Sequence, residues 1–247
     1  MSTIFRRNVY QWLLNIQFGL LPGTCVCCKR ASHRQLDLCQ SCEATLPRIS
    51  HPCSLCGLPL PTGYQGRNCG TCLHLKPPWT RLCSPFSYEA NVRQCISAFK
   101  YRGRLVAGRV LTNYLLNTLN QEYRLSGWPD LIIPVPLHRK RLRQRGYNQA
   151  LEISRTISGQ TGIPLCNHLV KRSKDTKKQT GLSARDRKNN VRHAFDIPSK
   201  NPILENKTVA LVDDVITTGV TLTELAHCFG KTGVKEIHVW TLARTVL

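Results

Sequence analysis

Acidic residues are scarce in this chain. Over 247 residues, 14 Asp and Glu stand against 35 Lys and Arg, a formal charge of +21. That deficit argues against a cationic partner and favours a polyanionic one, such as nucleic acid or anionic lipid. Aromatic residues are also few, at 7%, so platforms for base stacking are sparse. Affinity for a nucleic acid would then rest on phosphates, with tolerance of sequence and a steep dependence on salt. Long apolar runs are missing as well. The stretch from Ile4 to Leu21 is broken by Arg6, Arg7, Asn8, Gln11, Asn15 and Gln17, short of the ~18 residues a bilayer span needs. No small-residue cleavage site follows it, which argues against a secretory leader. Tyr10, Leu13, Leu14 and Gln17 instead fall at helical spacing beside a stripe of Trp12, Ile16 and Leu20. Residues 1–21 are expected to form an amphipathic helix packed on the protein itself. The expected location is the cytoplasm, with the periphery of the inner membrane as the other place such a helix allows.

The charge is not spread evenly. Between His138 and Arg192 there are 15 Lys and Arg and 3 Asp and Glu, a net +12 of the total +21. Clustering of this kind marks a surface that follows phosphates better than a diffuse basic bias does. The hydrophobic fraction of 41% is enough to bury a core, in one large domain or in a small and a medium one.

Cysteine is the abundant exception. Ten of the 13 cysteines lie between Cys25 and Cys83. Eight of these form four Cys-x-x-Cys pairs: Cys25/Cys28, Cys39/Cys42, Cys53/Cys56 and Cys69/Cys72. Two intervening residues let both thiolates of a tight knuckle face one ion, and two knuckles complete the tetrahedron zinc accepts. Four knuckles point to two zinc ions. Sequential assignment puts Cys25, Cys28, Cys39 and Cys42 around one and Cys53, Cys56, Cys69 and Cys72 around the other; interleaving satisfies the same spacing. The segment 22–78 has too little apolar material to fold alone, so metal would supply its folding free energy. A disulfide framework is disfavoured by the lack of a leader and the odd cysteine total, and an iron–sulfur cluster is the weaker metal alternative. Cys27, Cys83, Cys95, Cys166 and Cys228 read as small buried hydrophobes, because no Cys/His/Asn arrangement is legible around them.

Beyond a boundary near Lys76 to Thr80, short apolar runs alternate with helical periods through residues 79–247, the pattern of an α/β domain with a parallel sheet. Strands are expected at Leu82 to Tyr88, Leu131 to Val135, near Ile163 to Val170, Val209 to Val212 and Ile237 to Leu242. Helices are expected around Val92 to Phe99, Leu105 to Leu119, Tyr147 to Ser158 and Val220 to Phe229. A basic loop should join Leu137 to Tyr147, and Lys171 to Asn190 should be a long loop without regular structure.

The most informative segment is Val209-Ala-Leu-Val-Asp-Asp-Val-Ile-Thr-Thr-Gly-Val-Thr221. A buried strand delivers Asp213 and Asp214 to its C-terminal edge, and a Thr/Gly turn opens a helix. Open α/β sheets bind ligands in that crevice. Backbone N–H groups of Thr217, Thr218, Gly219, Val220 and Thr221 can enclose a phosphate there, with the two carboxylates accepting hydrogen bonds from the hydroxyls of an attached sugar. Asn148 is expected as a helix cap or a ligand contact, and Tyr147 as a core or stacking residue.

This acidic pair followed by Thr-Thr-Gly-x-Thr resembles the phosphoribosyl pyrophosphate signature of type I phosphoribosyltransferases. Together with the four cysteine knuckles, Phe99-Lys-Tyr-Arg-Gly103, Pro134-Val-Pro-Leu137 and Arg141-Leu-Arg-Gln-Arg-Gly-Tyr-Asn-Gln-Ala150, it makes nearly the whole chain similar to the ComF family. The resemblance implies a phosphoribosyltransferase-like sheet flanked by helices, preceded by a double zinc ribbon. It implies a role in natural transformation, handling incoming single-stranded DNA in the cytoplasm beside other DNA-uptake proteins. It places Arg139, Lys140, Arg141, Arg143 and Arg145 on the pyrophosphate, where guanidinium forks suit a diphosphate. It likens Lys171 to Asn190 to a flap that closes over substrate. It also implies a magnesium ion accompanying phosphoribosyl pyrophosphate. As an enzyme, such a protein would transfer the phosphoribosyl group to a nitrogen nucleophile, yet no hood segment with a readable base pocket is present.

Overall fold

The computed structural model describes residues 23–174, 193–198 and 201–246. The helix expected over 1–21 lies outside them, and so does the expected flap from residue 175 to 190. No helix among the described residues is long and apolar enough to cross a membrane.

Continuous apolar runs become the central strands, as parallel strands covered on both faces require. β6 (Thr208–Ile216) and β7 (Glu236–Arg244) lie side by side, with Val209 opposite Ile237 and Val212 opposite Trp240. β3 (Leu131–Pro134) flanks β6, and β1 (Arg81–Cys83) flanks β7, giving the order β1-β7-β6-β3. β2 (Phe86–Ser87) pairs with the far end of β7, and every pairing in this sheet is parallel. The expected first strand is thus two, separated at Ser84 and Pro85, because Pro85 has no N–H to give to a ladder. β6 and β7 both extend further than their apolar runs. Each supplies the other's ladder bonds, so Asp213, opposite Thr241, remains in extended backbone.

Helices cover both faces. α3 (Ala90–Tyr101), α4 (Leu105–Tyr123) and α6 (Gln149–Thr161) bury Ile96, Leu115 and Ile153 in one core with Ala210, Val212 and Trp240. α7 (Val220–Phe229) buries Leu222, Leu225 and Phe229 in the other, against Val209, Leu211 and Val239. The alternation of Val209 and Leu211 to one face and Ala210 and Val212 to the other is the period of two that a pleated strand imposes. Gly108 in α4 sits under the ring of Phe99: a Cβ there would lie 2.6 Å from Phe99 Cε2, so the two helices can approach only at glycine.

Three further expectations are corrected. The basic stretch after β3 is not a loop: Arg139–Arg145 forms the helix α5, capped by the His138 side chain, which accepts from the Lys140 N–H, and ended by Gly146 at φ 80°. Arg, Lys, Leu and Gln are good helix formers, and the positive φ that stops the helix suits glycine. The strand near Ile163 to Val170 reduces to one parallel bridge between Leu165 and Ile132. Pro164 lacks a donor and Asn167 follows at once, so no ladder propagates. The expected loop from Lys171 also starts as strand, since β4 (Lys171–Arg172) pairs antiparallel with β5 (Phe195–Asp196).

Between residues 23 and 74 the chain folds as two similar units. In each, an antiparallel bridge brackets the first knuckle, Thr24 with Ala31 and Pro52 with Pro59. In each, a five-residue helix starts at the third cysteine and carries the fourth, α1 (Gln40–Ala44) after Cys39 and α2 (Gly70–His74) after Cys69. Lys29 (φ 67°) and Gly57 (φ 70°) hold the same left-handed position after the second cysteine.

Candidate functional site

β6 brings its acidic pair to the C-terminal edge of the sheet, the topological place for a ligand in an open α/β fold. There a cavity of about 430 Å³ opens, lined by Asp213, Asp214, Thr217, Gly219, Val220 and Thr221, and on its other sides by Lys100, Arg141, Arg145, Gln149 and Arg172. Gly219 has φ 77° and caps α7, accepting from the Thr223 N–H at 2.8 Å. That left-handed turn aims the chain into the helix, whose first turn borders the cavity, and a helix start of this kind suits an anion. Thr218 belongs to the turn but does not line the cavity.

The two carboxylates are not equivalent. Asp214 is 7% exposed and holds Lys100 through its Oδ1 at 2.9 Å. Burial disfavours the Lys100 ammonium, but attraction from Asp214 and then Asp213 outweighs it and raises its pKa above the ordinary value. Lys100 is therefore a fixed cation. Asp213 accepts from the Asp214 N–H at 2.8 Å. Its pKa is pushed up to about 7, first by burial and then by repulsion from Asp214, against the pull of Lys100. Asp213 therefore titrates near neutrality.

Helix α5 sorts the basic cluster by its period. Arg141 and Arg145, four residues apart on one face, line the cavity, whereas Arg139, Lys140 and Arg143 do not and are exposed. Arg145 Nη1 donates to Gln149 Oε1 at 2.9 Å, and its guanidinium lies 5.2 Å from the Tyr101 ring. Gln149 is 2% exposed, and among the described residues its Nε2 finds no acceptor, which leaves a buried donor beside the basic wall. Asn148 is a cap: its Oδ1 accepts from the Ala150 N–H and its Nδ2 donates to the Val135 carbonyl, each at 3.0 Å. The Tyr147 hydroxyl donates to the Phe99 carbonyl, a packing role. Lys100 and Arg172 are the functional residues the sequence reading passed over as site members. For Lys100 the signal was present, in the Phe99 to Gly103 string; Arg172 falls inside the stretch likened to a flap, and its pairing through β4 with β5 brings it to the cavity.

The cysteines gather in two tetrads. The sulfurs of Cys25, Cys28, Cys39 and Cys42 lie within 4.8 Å of one another, and so do those of Cys53, Cys56, Cys69 and Cys72. Cys28 and Cys39 are 3.8 Å apart, Cys56 and Cys69 3.7 Å. Four thiolates at ~2.3 Å around one zinc would sit roughly 3.8 Å from one another, and disulfides would need about 2 Å. The donor set and spacing therefore fit two tetrahedral zinc ions. The first tetrad is sunk into the protein: Cys25, Leu38 and Leu46 join the core that holds Phe86, Cys95 and Tyr114. Beside it Glu43 accepts from Tyr114 Oη at 2.6 Å and pairs with Arg34 at 2.5 Å.

Comparison with known proteins agrees with both halves. The double zinc ribbon domain matches residues 17–73, and the phosphoribosyl transferase domain matches residues 143–245. The chain is 31% identical to the DNA utilization protein YhgH of Escherichia coli K12 over 92% of this chain and 99% of that protein. It is 28% identical to the competence protein ComFC of Bacillus subtilis over 84% of each. With competence protein F of Haemophilus influenzae the identity is 37%, spanning 89% of this chain and 96% of that one. At that identity over most of both proteins, and with both domain models matched, the chain belongs to the competence protein F family.

Proposed function

We propose that this protein handles single-stranded DNA in the cytoplasm and carries a site for phosphoribosyl pyrophosphate. The observation that bears the second part is the cavity at the end of β6, where two carboxylates and a helix-opening turn face a basic wall. The 5′-phosphate would sit on the N–H groups of residues 217–221, aided by the Thr217 and Thr221 hydroxyls and the dipole of α7. The ribose hydroxyls would donate to Asp213 and Asp214. The pyrophosphate would lie towards Arg141 and Arg145, with Arg172 above, where bidentate contacts suit a diphosphate. A magnesium ion arriving with the ligand would neutralise part of the pyrophosphate's charge.

Lys100 has a definite place in this reading. By pairing with Asp214 at 2.9 Å it holds that carboxylate oriented before the ligand arrives, so binding costs little reorganisation. DNA handling is supported by the charge outside the cavity. Arg102, Arg104, Arg139, Lys140 and Arg143 are all exposed around its basic side, next to Tyr101 at 64% exposure. Phosphate contacts of this kind carry affinity without sequence information.

Calorimetric titration of the zinc-loaded protein with phosphoribosyl pyrophosphate and magnesium tests the site, with and without single-stranded DNA bound. Binding that vanishes in the Asp213→Asn, Asp214→Asn double variant is the expected result. Undiminished binding in that variant would sink the assignment of the carboxylates to the ribose. DNA affinity that stayed constant from low to high salt would contradict the phosphate-based reading of the surface.

A further inference from the structure

The second cysteine tetrad does not stand apart from the α/β domain. In a metal knuckle the backbone N–H groups turn inward to the sulfurs; here the Cys69 N–H points to Cys53 Sγ at 3.3 Å. The knuckle's carbonyls are left facing out, and three in a row are taken by the α/β domain. Ser54 O accepts from the Leu82 N–H at 2.7 Å. Leu55 O accepts from the indole N–H of Trp79 at 2.6 Å. Cys56 O accepts from Arg244 Nε at 2.8 Å.

Two of these three donors continue straight to the phosphate turn. Arg244 is 9% exposed, and its Nη1 donates to the Ile216 carbonyl at 3.2 Å and to the Thr217 carbonyl. Trp79 is 7% exposed and lies beneath Gly219: a Cβ on that glycine would be 3.6 Å from Trp79 Cη2. The stem of Arg244 is held in turn by the knuckle, because a Cβ on Gly57 would be 3.8 Å from Arg244 Cγ. A buried guanidinium with three carbonyl acceptors has a single well-determined position, and each bond to a charged donor is worth more than a neutral one.

We propose that Arg244 and Trp79 are positioning residues through which the metal-bound second tetrad sets the shape of the turn at 216–221. The turn is competent for phosphate only while Cys53, Cys56, Cys69 and Cys72 hold their ion. If the ion is lost, the knuckle opens and its carbonyls move. Arg244 then keeps acceptors at the turn alone, and Trp79 loses its anchor. The consequence for ligand binding rests on the reading of the cavity as a phosphoribosyl pyrophosphate site; the consequence for the turn does not.

The test uses the full zinc-loaded chain and three variants: Arg244→Lys, Trp79→Phe and, as a control docked on the first tetrad, Tyr114→Phe. Zinc content is measured by elemental analysis, backbone hydrogen exchange by mass spectrometry, and affinity by titration with phosphoribosyl pyrophosphate and magnesium. The expected result is two zinc ions per chain in all three, faster exchange confined to 216–221 in Arg244→Lys and Trp79→Phe, and affinity about tenfold weaker in both. Tyr114→Phe should match the parent at the turn and in affinity. A Cys56→Ser chain, with its second ion lost, should show the same local exchange more strongly. Parent-like exchange at 216–221 in both Trp79→Phe and Cys56→Ser overturns the proposal, and so does acceleration spread evenly over the chain. Should the parent itself not bind the ligand, the cavity reading fails, and the exchange pattern alone still decides the role of Arg244 and Trp79.

Discussion

The two cysteine tetrads are built alike and placed differently. Each has a bracketed first knuckle, a left-handed residue after its second cysteine and a five-residue helix carrying its fourth. The first is embedded in the helical core through Leu38, Leu46 and the Glu43–Tyr114 bond. The second presents its carbonyls to Trp79 and Arg244 and, through them, to the turn that follows the acidic pair. A duplicated module has thus acquired two tasks by position alone: one copy braces the fold and the other braces the site.

Destroying the metal centres one at a time breaks that contrast most forcefully. A Cys28→Ser, Cys39→Ser chain should lose the compactness of residues 23–49 and part of the helical core with them, seen as a large fall in the melting temperature and early proteolysis there. Structural zinc supplies ~10 kcal/mol or more to such modules, so this is the largest effect expected. The Cys56→Ser chain should instead keep a melting temperature nearer the parent's while its cavity fails.

Next in size is the Asp213→Asn, Asp214→Asn variant, in which charge-assisted bonds worth ~1.5–3 kcal/mol each are weakened. Titration should show phosphoribosyl pyrophosphate affinity reduced by about a hundredfold or more, with zinc content unaffected and some stability lost, because Asp214→Asn leaves the Lys100 ammonium without its partner.

Acidity should act on the site. Asp213 has its pKa raised to about 7, and only its ionised form accepts both hydroxyl bonds. Affinity should therefore rise as pH climbs through about 7 and fall below it. The Asp213→Asn chain should lose that part of the pH dependence, leaving only the titration of the ligand's own phosphates. The same raised pKa makes the empty fold gain slightly in stability as pH drops through this window, because the neutral carboxyl is the form the buried site prefers.

The smallest effect belongs to Tyr114→Phe. It removes the 2.6 Å bond to Glu43 and should cost about 1 kcal/mol of stability by thermal unfolding, with ligand affinity unchanged. A loss of affinity here would erase the division of labour between the two ribbons.

The legible parts of this molecule were those where one residue type has one job. Cys-x-x-Cys spacing exposes metal knuckles without reference to anything distant, and Val209 to Thr221 announces strand, acidic pair, turn and helix in the order they occur. The helix α5 was hidden because a run of five cations looks like a solvated loop, and only its hydrogen bonding with His138 and Gly146 at the ends reveals a helical face. Arg244 carried no local signal at all. It stands in a strand that reads simply as β, and its importance comes from three carbonyls far away in sequence. The roles of Lys100 and Arg172 are likewise completed by which elements the fold brings together.

The seat of Trp79 also gives the protein an optical gauge. Its indole is hydrogen-bonded at one end to the knuckle carbonyl of Leu55 and packed at the other beneath Gly219, while elsewhere Trp128 stacks on Tyr123 and Trp240 meets that ring edge-on. A phosphate settling on the turn would change the field at one edge of that ring, and a departing zinc ion would free the other. Emission from this single side chain therefore reads both events, and a chain with Trp12, Trp128 and Trp240 replaced by Phe would report the state of metal and cavity in real time without any added label.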